Sequence, residues 1–114
     1  PTGSTAYSLS AGGPVIHPTL DLFIITPICA HTLYARSIIV QPNSSIRLIL
    51  ESTKEGTMVT LDGQRGFTLD KGDYIEVRKS KLTNHMVKLI PEKPFYSLLR
   101  DKLSWGMDIR KRID

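Results

Sequence analysis

Apolar positions along the chain change rhythm from segment to segment, and each rhythm implies a different element. Residues 1–18, PTGSTAYSLSAGGPVIHP, are mostly Gly, Ser, Thr and Ala, with Tyr7 the one aromatic among them. Thr2 or Ser4 can cap a helix by accepting from backbone N–H groups, so Thr5 to Ala11 is expected to run helical until Gly12-Gly13-Pro14 ends it. Leu20 to Ile25 and Ile38 to Val40 are short, nearly continuous apolar runs, the pattern of strands buried on both faces. From Ser45 the period becomes two. Ile46, Leu48 and Leu50 alternate with polar residues, and Met58 to Leu61 follow Lys54-Glu55-Gly56, which predicts a hairpin. Asp62-Gly63 is a strong turn dipeptide, and Phe67 and Leu69, Tyr74 to Arg78 and Met86 to Ile90 continue the series. Turn signals recurring every 8–12 residues or so predict an all-β sandwich or meander. At the end the period lengthens again, since Phe95, Leu98, Leu99 and Leu103 fall on one helical stripe that begins at Pro94 and closes near Gly106.

Composition narrows the class without naming a function. At 114 residues, 40% hydrophobic and 23% charged, the chain is read as one globular domain, 1–114. Fifteen basic against eleven acidic side chains leave +4, an excess that favours anionic ligands without implying a nucleic-acid binder. The basic residues gather between Lys79 and Arg112, read as solvated faces and a basic tail. The lone Cys29 permits no intrachain disulfide and fits a reducing cytoplasm. No apolar run reaches the roughly 18 residues of a membrane helix, and no signal-peptide pattern opens the chain. Because Pro1 enters directly into a dense motif, the chain is expected to be a fragment whose upstream part is absent.

Motifs for catalysis are missing. His17, His31 and His85 are scattered, with no zinc-ligand spacing, so no metal site is expected. No serine sits in a G-x-S-x-G elbow, and neither a P-loop nor a G-x-G-x-x-G fingerprint is present. What remains is the opening segment, where hydroxyls and exposed N–H groups either meet a polar ligand or merely start a helix.

That opening segment resembles the substrate-binding segment of NAD kinases, and Ile25-Thr26-Pro27-Ile28-Cys29-Ala30-His31-Thr32-Leu33 with Arg36 resembles the family's next one. Leu61-Asp62-Gly63-Gln64 stands where the family has an aspartate-glycine turn. The resemblance covers essentially the whole chain. It implies a mainly β chain, the C-terminal β-sandwich domain of a two-domain fold, with a short N-terminal helix and a C-terminal helix. It also implies transfer of a phosphoryl group from ATP or polyphosphate to the 2′-hydroxyl of the adenosine ribose of NAD, giving NADP, with a divalent metal such as Mg accompanying ATP.

Carried over residue by residue, Thr5, Ala6 and Tyr7 would lie against NAD, Tyr7 packing its ring on the ligand and Ala6 permitting close approach. Ser10 would hydrogen-bond to it and Thr2 would stand at the edge. Cys29 and Ala30 would serve a neighbouring subunit's site, implying a homo-oligomer, dimer or tetramer; otherwise Cys29 is a small core residue. His31 is expected to fix its loop through its ring nitrogens. Asp62, Gly63 and Gln64 are either a plain hairpin turn or a ligand edge. The family's G-G-D-G-T motif, whose aspartate is the proposed base, and its Asn-Glu or Asn-Asp pair are absent from this sequence. No catalytic residue is therefore assigned here, and the chain by itself is expected to be inactive. A non-catalytic β-sandwich binding module is the alternative. A related lipid kinase shares the two-domain plan, but the T-G-S-T-A-Y run favours the dinucleotide.

Overall fold

The computed structural model describes residues 2–52, 56–87 and 93–104. The chain divides into two compact units, Pro1–Lys81 and Leu82–Asp114. The first is built from antiparallel strands behind a short helical segment. The second holds a helix.

Among the described residues, three strand pairs form the first unit's β structure. Strands β1 (Phe23–Ile25) and β2 (Ile38–Val40) pair with Phe23 opposite Val40 and Ile25 opposite Ile38. The expected strand from Leu20 shortens to three half-buried residues. Strands β4 (Met58–Leu61) and β5 (Arg65–Thr68) form a hairpin around Asp62-Gly63-Gln64. Asp62 (φ 52°) and Gly63 (φ 67°) both take the left-handed conformation that a tight primed turn needs, and the Gln64 N–H donates to Leu61 O at 3.0 Å.

Strand β3 (Ile46–Ile49) does not form the expected hairpin with β4; it pairs with β6 (Tyr74–Val77), and the β4–β5 hairpin lies between them in sequence. The reason is local. A two-residue positive-φ turn closes β4 onto β5 as a local hairpin, and β3 meets β6 across a longer connection whose closure entropy grows only slowly with length. The ladder continues past β3, where Leu50 donates to Asp73 O and accepts from the Gly72 N–H. Across it Arg47 faces Glu76 at 3.7 Å, Arg78 reaches the same carboxylate at 3.2 Å, and the Arg47 guanidinium lies 4.7 Å above the Tyr74 ring. Met86 and Val87 are exposed and lie outside the strands, and the rest of that expected run, 88–90, lies outside the described residues.

In the second unit, helix α2 (Phe95–Leu103) carries the expected stripe. Leu99 is buried and Phe95, Leu98 and Leu103 are half-buried, while Tyr96, Arg100, Asp101 and Lys102 face solvent. Arg100 and Lys102 in its last turn meet the negative end of the helix dipole. The helix stops at Ser104, in the left-handed conformation with its N–H on Arg100 O; Gly106, the expected stop, lies outside the described residues. The mainly β reading, with one short helix early and another late, is thus what the chain adopts.

Candidate functional site

The opening segment is two short turns joined at a kink. Thr2–Thr5 form a 3₁₀ turn and Tyr7–Ser10 form helix α1, with Ala6 between them donating its N–H to Gly3 O at 3.1 Å. A single helical turn has no stability of its own, and three features hold this one in place. The first is Ser4, which the sequence suggested as a helix cap. Its hydroxyl is instead buried, accepting from the Ile16 N–H at 3.0 Å and donating to Ile16 O at 3.3 Å, so it stitches the segment to a buried Ile16 twelve residues on. The second is the Thr5 hydroxyl, which donates to Thr2 O.

The third is the pair Gly12-Gly13. Gly12 (φ 86°) ends α1 in the left-handed conformation, its N–H bonding to Leu9 O at 2.9 Å while the Gly13 N–H bonds to Ser8 O at 2.8 Å. This is the double bond pattern of a Schellman motif. Gly13 is glycine for a different reason, since a Cβ there would lie 2.5 Å from Ser8 Oγ, 2.7 Å from Ser8 O and 2.9 Å from Thr26 Oγ1.

Held this way, Thr2, Thr5, Ala6, Tyr7 and Ser10 all stand at the surface on one short segment. Tyr7 is 72% exposed, so it is no core aromatic. Ser10 follows one helical turn later. Cys29 is exposed, with a positive φ of 50°, in the loop between β1 and β2, and the core reading of this thiol falls away. That loop is fastened to α1 at its entrance, where Ser8 Oγ lies 3.4 Å from Thr26 Oγ1. His31 does not fasten it: its ring is exposed and makes no hydrogen bond among the described residues, while Arg36 folds back to donate to Ala35 O at 3.0 Å. Asp62 and Gln64 are exposed at the tip of the β4–β5 hairpin, and among the described residues no hydrogen bond joins that tip to Thr2–Ser10. The structure thus gathers Thr2 to Ser10, links them to the Cys29 loop, and leaves Asp62 and Gln64 on a separate element.

Sequence reasoning gave Ser8 and Ser37 no role and took Gly13 only as a helix stop and Thr26 only as part of the second family-like segment, yet these four residues set this geometry. One signal was available: hydroxyl residues directly flank the 27–36 loop. Among the described residues of the first unit, no basic side chain bonds to the segment. Lys79 pairs with Asp21 and Lys93 with Asp101, and Arg110 to Arg112 lie outside the described residues. Among the described residues no three His, Cys, Asp or Glu side chains gather to hold a metal ion, and no helix is long and apolar enough to cross a membrane.

The sequence pattern of the ATP-NAD kinase C-terminal domain family matches residues 1–89. The chain belongs to the NAD kinase family. It is 52% identical over 104 residues to a Thermoanaerobacter (strain X514) protein named NAD kinase, an alignment spanning 91% of this chain and 36% of that protein. It is 48% identical over 103 residues to the NAD kinase of Carboxydothermus hydrogenoformans and 47% over 106 residues to that of Geotalea daltonii, covering 36% and 37% of those proteins. The chain therefore spans little more than a third of the length of the curated NAD kinases it matches. Its opening segment, with the exposed Tyr7, falls inside the matched region, as do the Cys29 loop and the Asp62 turn.

Proposed function

We propose that this chain supplies the NAD-binding surface of an NAD kinase, which phosphorylates the 2′-hydroxyl of the adenosine ribose to give NADP with ATP or polyphosphate as donor. The dinucleotide lies against Thr2 to Ser10. Tyr7 offers its ring for stacking, Ala6 lets the ligand approach the backbone, Thr5 and Ser10 hydrogen-bond to it, and Thr2 stands at the rim. The observation that carries this is Tyr7: a large aromatic, 72% exposed, on a segment whose other exposed residues are small and which is fastened by buried hydrogen bonds. Exposing a ring to water without a partner is unfavourable, and a planar ligand relieves it.

The surface from Thr2 to Ser10 carries no Asp, Glu, His, Lys or Arg to act as acid or base. The base that takes the ribose proton, and the groups that meet the donor's phosphates, therefore come from outside this surface, and the chain by itself is inactive. A divalent ion would accompany the ATP phosphates as part of the substrate. The exposed Cys29 loop serves the site of a neighbouring copy, which makes the working enzyme a homo-oligomer, dimer or tetramer, in the cytoplasm. Asp62 and Gln64 meet the ligand's edge only where their hairpin turn faces the cleft.

Calorimetric titration of the full-length, assembled protein with NAD tests the reading. Replacing Tyr7 and Ser10 together with alanine is expected to lower NAD affinity by about tenfold or more, from loss of one stacking surface and one hydrogen bond. Undiminished affinity in that double variant rules the surface out. A chain that binds NAD with no kinase activity in the full-length protein would instead favour a binding module.

A further inference from the structure

Thr26 is the hub of a small polar joint. It follows β1 directly, and the register that sets Ile25 opposite Ile38 sets Thr26 opposite Ser37, at the mouth of the 27–36 loop. The two hydroxyls lie 3.1 Å apart, so the loop is closed at its base by a side-chain bond as well as by the strand ladder. Thr26 Oγ1 also meets Ser8 Oγ, from the middle of α1, at 3.4 Å. A hydroxyl has one proton to give and two lone pairs, so Thr26 can serve both serines at once. Its β-branch holds χ1 stiff, which fixes the direction of that bond relative to the strand. Behind the joint Gly13 has no Cβ, and any side chain there would push Ser8 and Thr26 apart.

The geometry points to Thr26 as a positioning residue for the dinucleotide, setting the angle between α1, which presents Tyr7 and Ser10, and the loop that carries Cys29. This rests on the NAD-binding reading above. Thr26 does not touch NAD in this scheme. Its hydroxyl holds two ligand-facing elements in one relative orientation, and removing it lets α1 turn away from the loop. The joint is only half-buried, so water replaces the lost partners and the fold survives, while the alignment that binding needs is lost.

The test is steady-state kinetics of the full-length enzyme with NAD varied, paired with NAD calorimetry. Thr26→Val keeps shape and β-branch but removes the hydroxyl and its bonds to both Ser37 and Ser8, and loss of the bond that reaches α1 is expected to raise KM for NAD about five- to tenfold, with kcat little changed. Thr26→Ser restores KM, and Ser8→Ala, which removes the other end of the same bond, reproduces the valine effect. The Tyr7 and Ser10 double variant serves as the control for the site itself. If that control leaves NAD binding intact, the surface reading fails. If the control weakens binding while Thr26→Val keeps the parent KM, or if Thr26→Ser is as impaired as Thr26→Val, the joint is refuted. Should Thr26→Val unfold, Ser8→Ala decides: an unchanged KM in a folded Ser8→Ala protein overturns the proposal.

Discussion

Gly13→Ala isolates the packing that holds the opening segment. The substitution keeps a permitted backbone, since φ at Gly13 is not positive, so the whole penalty is steric. The new Cβ would stand 2.5 Å from Ser8 Oγ and 2.7 Å from Ser8 O. The hydroxyl can rotate away, though it then abandons Thr26; the carbonyl cannot, because it accepts the Gly13 N–H that closes the helix. Relief of such an overlap by shifting backbone costs about 1–3 kcal/mol, and weakening the closing hydrogen bond adds about 0.5–1.5 kcal/mol. Stiffening the unfolded chain returns about 0.4–1 kcal/mol. The net expectation is destabilisation of about 2 kcal/mol, with the bond to Thr26 lost as well.

Urea unfolding of the full-length protein followed by circular dichroism measures this, with Gly3→Ala as reference. A Cβ at Gly3 meets nothing within 4 Å, and its φ is not positive, so that variant carries no steric penalty. A Gly13→Ala protein as stable as the Gly3→Ala protein would refute the argument, because both substitutions stiffen the unfolded chain alike.

Other expectations follow from the same contacts. Ser4→Ala leaves the Ile16 N–H and carbonyl without their buried partner and should cost about 1–3 kcal/mol in the same unfolding assay. Gly3→Ala should keep or slightly raise stability yet weaken NAD binding in calorimetry, since its Cβ enters open space beside the proposed ligand surface; unchanged affinity would put the ligand farther along the segment. Gly63→Ala should destabilise the β4–β5 hairpin by about 1 kcal/mol in unfolding assays, because φ 67° suits glycine.

Much of this architecture is local and was legible in the order of residues. The period of two from Ile46, the Asp62-Gly63 turn and the stripe through Leu99 each follow from one stretch of chain, because side-chain alternation, positive φ and helical spacing are properties of neighbouring residues. The opening segment was likewise legible through its resemblance to NAD kinases, and the sequence match to that family, over residues 1–89, takes in the same stretch. Partnership was not. Which strand β3 takes, whether Ser4 caps a helix or stitches to Ile16, and what Thr26 and Ser37 bind are choices between groups separated by 11 to 18 residues for the hydroxyls and by a whole hairpin for the strand. Periodicity shows that a residue has a face. It does not show what covers that face. A serine satisfies its hydroxyl equally well through a nearby N–H or a distant one, and only the folded chain selects between them, by burying Ser4 against Ile16 and bringing Thr26, just past β1, to Ser8 of α1.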